Sequence, residues 1–260
     1  MGRRVTIIIV LAIVAVLGTI AIACNGIISG SGKLETKEMS YTDFTGLEVS
    51  SAFEVDITRA DSYQVEITVD DNLLNYLDIH QSGKILHIGL KQPYVYPRTT
   101  QRATITMPVL TELELSGASK GILTGFNSAN PVEFRVSGAS SLRIADFKAG
   151  ETEFDVSGAS RVLGNVQVTD GKFDVSGASN IELEGSAEDI SIDVSGASRA
   201  NLDDFTVANA DVELSGASSA TVNSSGKLDA TVSGASTLYY LGNPTLGRIE
   251  VTGASTLKKR

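Results

Sequence analysis

The 260-residue chain has no tryptophan, one cysteine, five prolines and two histidines. A lone Cys24 closes no internal disulfide, and with it goes any Cys-rich metal motif. Neither His lies beyond position 87, so most of the chain is without the base that a serine nucleophile needs. Without Trp there is no strong platform for stacking sugars. Basic residues are outnumbered, 21 against 31 acidic, for a formal net charge of −10. Phosphate backbones are bound by clusters of Lys and Arg, so this balance argues against nucleic acid as a partner. The sole basic run, Lys258-Lys259-Arg260, reads as a solvated tail. No phosphate-cradling Gly loop or nucleophile elbow is present. These absences point away from an active site and toward a scaffold.

What the chain has in abundance is one phrase, Ser-Gly-Ala-Ser. It starts at Ser116, Ser137, Ser157, Ser176, Ser195, Ser215 and Ser233, and returns as Thr-Gly-Ala-Ser at Thr252, with spacings between 18 and 21 residues. A period near 20 is the mark of a solenoid. Each phrase follows an apolar-charged-apolar triplet such as Phe154-Asp155-Val156, Phe173-Asp174-Val175 or Ile192-Asp193-Val194. After it come a polar and then an apolar residue, as in Arg161-Val162. This is the period of two of a strand. The unit reads as one coil of an all-β, parallel β-solenoid of about 19–20 residues. Small residues suit the bend between two arms of the coil, since Gly tolerates dihedrals closed to bulky side chains. Stacked coils place like residues about 4.8 Å apart, so columns of Ser can hydrogen-bond along the stack.

Before the repeats, a basic Met1-Gly2-Arg3-Arg4 precedes an uncharged run from Val5 to Ala23. Residues 1–23 read as an export signal, or as an uncleaved signal-anchor helix. Ile20-Ala21-Ile22-Ala23-Cys24 resembles a bacterial lipobox, which implies cleavage before Cys24 and lipidation of it. Ordinary secretion is the third alternative; all three put the remainder outside the cytoplasm, and the lipoprotein and signal-anchor readings hold it to a membrane. Residues 24–40, with Ser29-Gly30-Ser31-Gly32, read as a flexible tether. Residues 41–107 read as an N-terminal β-rich cap with the first coils, residues 108–257 as the Ser-Gly-Ala-Ser solenoid, and 258–260 as the tail. Within the cap the pattern predicts a strand over 63–69, a short helix over 70–77 and a hairpin turning at Ser82-Gly83. A loop over 91–100 and a strand over 102–107 follow.

Phe44-Thr45-Gly46-Leu47-Glu48-Val49, Phe53-Glu54-Val55, Val69-Asp70-Asp71-Asn72-Leu73-Leu74, the Ser-Gly-Ala-Ser coils and Tyr240-Leu241-Gly242-Asn243-Pro244 together resemble the bacterial head-GIN domain family of putative autotransporter adhesins. The resemblance spans roughly 41–257. It implies a right-handed β-helix head on an exported, often lipid-anchored protein. No segment after the coils could form a membrane barrel, so anchoring would fall to Cys24.

Two outward columns are expected on the coils. One reads Glu114, Arg135, Asp155, Asp174, Asp193, Glu213, Thr231, Glu250; the other Lys120, Ser141, Arg161, Asn180, Arg199, Ser219, Thr237, Thr256. Three successive aspartates repel one another, so Arg135, Arg161 and Arg199, or a cation, should compensate them. A solvated acidic face, a ligand contact at Asp155, Asp174 and Asp193, and a carboxylate pair for glycoside cleavage are the alternatives. The regularity of the column favours the first, because active sites break a repeat. His80 and His87 have no acidic partner at ligand spacing in the sequence. Tyr94 and Tyr96, with Tyr239 and Tyr240, are the aromatic candidates for contact with a glycan or protein, and the loop of Tyr94 and Tyr96 interrupts the repeats. The expectation is a non-catalytic, surface-anchored head that binds a protein or glycan and needs no cofactor or metal. The alternative is a polysaccharide-active enzyme using the Asp column with Arg161 or Arg199. Open coil ends could also mediate self-association.

Overall fold

The computed structural model describes residues 26–260. The expected export segment, 1–23, and the lipidation at Cys24 lie outside the described residues. From Gly46 onward the chain winds into a β-solenoid of about 7 turns with coils of about 20 residues. Each coil gives one strand before the Ser-Gly-Ala-Ser corner and one after it. In one such coil Thr152–Val156 leads to the corner and Arg161–Val168 leaves it. Strands before the corner stack into an 11-stranded sheet and strands after it into a 12-stranded sheet. Along the coils all pairings are parallel.

The alternation in the sequence explains the interior. Phe134, Phe154, Phe173, Ile192, Val212 and Ala230 stand in register on successive strands and face inward. The first three rings stack, with centroids 5.0 and 5.3 Å apart. Phe147 and Phe205 come from the other sheet, where bulges shift its register, and meet this ladder edge-on. Aromatic pairs at these separations add to the stabilisation from burial alone.

The corners show why the phrase recurs. The Ala N–H of each later coil donates to the Gly carbonyl of the coil before, as Ala178 does to Gly158 at 2.8 Å. The β-ladder therefore continues around the bend. Gly177 has φ +76°, and a Cβ there would sit 2.5 Å from the Gly158 oxygen. Both the backbone angle and the close approach require glycine. From Ser119 to Ser236 the fourth residue of each phrase turns in and is buried. In several coils its hydroxyl accepts from the preceding coil's backbone, as Ser198 Oγ does from Ser179 N–H at 3.3 Å, whereas the buried Ser119 and Ser160 hydroxyls have no partner among the described residues. The expected Ser columns exist, mostly as side chain to backbone contacts, with Ser218 Oγ to Ser236 Oγ at 3.2 Å as a side chain to side chain contact.

The cap is not built in chain order. Gly46–Val49 and Glu54–Arg59 form the first coil, with Ser51 at φ 62° in place of the corner Gly and Ala52 at φ 59° in place of its Ala. The chain then builds outward, placing Ile85–Leu90 and Gln101–Met107 parallel to that coil on its outer side. Antiparallel strands Leu77–Ser82 and Gln64–Asp70 cover these in turn. Glu112–Leu115 returns to the opposite side of the first coil. The short helix over Asp71–Tyr76 is a 3-10 helix.

The stretch 24–40 is not a free tether over its described part. Leu34–Met39 pairs antiparallel with Gln64–Asp70, and Gly26–Ile27 pairs with Tyr94–Val95. Asp70 ties the intervening turn down by accepting from Gly32 N–H at 2.6 Å and Thr100 N–H at 2.7 Å. The Gly and Ser content suggested flexibility, but backbone pairing to a free sheet edge needs no apolar pattern. Five of the six residues Leu34–Met39 are exposed.

Candidate functional site

The outward residues before the corner align as the alternation predicts. Glu114, Arg135, Asp155, Asp174, Asp193, Glu213, Thr231 and Glu250 are register partners on successive strands. Glu48 and His87 extend the column into the cap. A second acidic column, two residues earlier on each strand, went unread in the sequence. It runs Glu112, Glu133, Glu153, Lys172, Ser191 and Asp211. The same period of two would have revealed it.

The charge balance on this face differs from the expectation. Arg135 pairs with Glu112 and Glu133, and Lys172 bridges Glu153 and Asp174 at 2.5 and 2.9 Å. The carboxylate of Glu153 and then that of Asp174 hold the Lys172 ammonium protonated well above its usual range. Burial, then the nearby Glu48, pushes the Glu114 carboxyl up. Arg161 and Arg199 compensate none of these acids, because they lie beyond the corner on the other sheet. The Asp column and those two arginines, combined in the enzyme alternative, are thus on different faces. Among the described residues no group of three or more His, Cys, Asp or Glu converges as a metal site would. From Ser119 to Ser236 the fourth Ser of each corner is buried inside the stack and is no exposed nucleophile.

The face beyond the corner carries an open groove of about 850 Å³, lined among others by Arg161, Asn180, Arg199, Ser219, Thr237 and Tyr239. Arg199 Nε donates to Ser219 Oγ at 3.2 Å, and the Arg260 guanidinium sits 4.2 Å from the Tyr239 ring. The ion pairs formed among the described residues include neither Arg161 nor Arg199. These guanidiniums face the groove uncommitted to a carboxylate.

Tyr94 and Tyr96 belong to the cap, not to either column. With Tyr76 they form an aromatic cluster, Tyr76 to Tyr94 at 5.2 Å and Tyr76 to Tyr96 at 6.1 Å. The Tyr96 hydroxyl donates to the Lys91 carbonyl at 2.6 Å, and burial raises its phenol's pKa. The two histidines stack across the hairpin with ring centroids 4.6 Å apart. Contrary to the sequence reading, each has an acidic neighbour: Glu48 lies 2.7 Å from His87 and Asp78 3.2 Å from His80. Glu48 comes from a different strand, which local spacing could not show.

A family model described as "Putative auto-transporter adhesin, head GIN domain" matches residues 43–244. Among solved structures, the chain is similar to a putative adhesin from Parabacteroides merdae, with 20% identity and TM-score 0.84. That match covers 90% of this chain and 99% of the other. A putative adhesin from Parabacteroides distasonis has 19% identity and TM-score 0.83, covering 90% and 100% of the two chains. A putative lipid binding protein from the same species has 21% identity and TM-score 0.80, covering 90% and 99%. At these identities the likeness is one of fold. No curated protein matches the chain.

Proposed function

This chain belongs to the head GIN domain family of putative auto-transporter adhesins, and from that premise we propose that it is a non-catalytic binding head tethered at the cell surface. The N-terminal segment, by lipid at Cys24 or as an uncleaved helix, would hold it to a membrane. The 11 stacked strands of one sheet make a face on the order of 50 Å long at strand spacing. Such a face suits an extended glycan or a protein surface.

The observation that carries this reading is the unbroken periodicity of the outward columns. Ligand-gripping lattices can repeat; a catalytic centre needs a nucleophile or acid, its base and a charge stabiliser brought to one point. Asp155, Asp174 and Asp193 lie together, but the guanidiniums proposed to assist them lie across the corner. Two surfaces remain as ligand candidates, the Asp column and the groove of Arg161 and Arg199. The groove is lined by charged, amide and hydroxyl groups, a poor setting for an acyl chain and a good one for sugar hydroxyls or carboxylates.

The test is to incubate the full chain with immobilised bacterial and host polysaccharides and proteins, assaying retained protein and released sugar ends together. The expected result is retention without new reducing ends. Arg161→Gln with Arg199→Gln should weaken retention about tenfold if the groove is used, and Asp155→Asn with Asp174→Asn and Asp193→Asn if the acidic face is. Turnover lost in the Asn variants would make the protein an enzyme and overturn the proposal.

A further inference from the structure

The cap carries an apolar spot that its own fold does not cover. Ile27 is 74% exposed and Val95 44% exposed. They are register partners in the two-stranded sheet of Gly26–Ile27 and Tyr94–Val95, so both side chains project from the same side of it. None of the four residues is charged. Behind them stands the cluster of Tyr76, Tyr94 and Tyr96. A small apolar tip backed by tyrosines has the composition of a segment at a membrane–water interface, where the amphipathic ring sits at headgroup level.

Position along the chain says what covers it. The 25 residues that precede the described structure include the uncharged run Val5–Ala23 and Cys24. From Cys24 to Gly26 the chain can span at most about 7 Å. A free tether over residues 24–40 could have reached about 55 Å. Pairing of Gly26–Ile27 and Leu34–Met39 to the cap removes that reach. Whether Cys24 bears a lipid or the run stays as a helix, Ile27 lies at most about 11 Å along the chain from Cys24, and so close to the headgroups. The charge distribution agrees, since the acidic coil face would be repelled by anionic lipid.

We propose that the Ile27–Val95 tip of the cap lies in the interfacial layer of the membrane that holds the N-terminal segment. The head is thereby seated on the bilayer by its cap, with the last coil at the far end of the stack. This rests on the anchored reading given above. It also assigns Tyr94 and Tyr96 to the lipid interface instead of to a soluble ligand.

The absence of Trp from the chain supplies the test. Val95→Trp places a single indole at the tip, and Leu246→Trp places one at the exposed far end, where Leu246 is 46% exposed. Each full chain is reconstituted into phosphatidylcholine–phosphatidylglycerol vesicles with and without lipids brominated near the headgroup. Sedimentation with the vesicles is measured alongside, and circular dichroism confirms the fold. The expected result is co-sedimentation of both, with blue-shifted emission for Val95→Trp, quenched at least twofold by the brominated lipid. Leu246→Trp should stay unquenched. Adding Ile27→Ser should reduce the quenching of Val95→Trp. Co-sedimentation with an unquenched Val95→Trp overturns the seated cap and leaves the anchor standing. Failure to sediment overturns both.

Discussion

Single residues decide where this surface is comfortable and where it is not. Glu114 stands between Glu48 on one strand and Arg135 on the next, and burial and Glu48 push its carboxyl above the usual range. The folded protein therefore holds that proton more tightly than the unfolded chain does. Stability from this group falls as pH rises through the ordinary glutamate value to the raised one, and the full cost is present above it. Glu114→Gln should raise Tm at pH 7, and the gain should vanish near pH 3, where both states are protonated. Melts at the two pH values check this; an equal gain at both would assign the effect to packing. Lys172 shows the opposite case, a cation favoured by Glu153 and Asp174, yet it is half exposed and solvent weakens such pairs.

At the scale of the strand and the coil, Phe134, Phe154 and Phe173 form a fully buried ladder of stacked rings. Phe154→Ala removes the middle ring and should cost about 3–5 kcal/mol. Because each coil touches mainly its neighbours, the damage should stay local. Hydrogen exchange should speed up first in Val132–Val136 and Asp170–Val175, with Gln64–Asp70 in the cap little changed. Loss of protection spread evenly over the whole chain would show one cooperative unit instead. The in-and-out alternation, the corners and the outward columns were all legible in the sequence, because a strand's side-chain period is local. The allegiance of Arg161 was not. It is six positions from Asp155, and the corner between them sends the two to different sheets.

At the scale of the molecule, a solenoid must protect the edges of its terminal coils. The cap does so at one end with antiparallel strands laid on parallel ones. Deleting residues 41–107 would bare the edges of Glu112–Leu115 and Lys120–Thr124, with Leu113, Leu115 and Leu123 behind them. The product should aggregate, as light scattering would show. A soluble, monomeric product would mean that the coils need no cover.

The sequence by itself determined the coil: its length, its inward and outward residues and the need for Gly at its corners, all set by interactions repeating every two residues or every turn. The tertiary structure decided the rest. It placed the first coil between the cap and the repeats, brought Glu48 beside His87, set the Asp column and the arginine groove on separate faces, and bound residues 26–39 to the cap. These depend on which distant strand edges meet, and a backbone edge offers the same donors and acceptors whatever its side chains. No local pattern in residues 26–39 could announce the partner that their backbone would find.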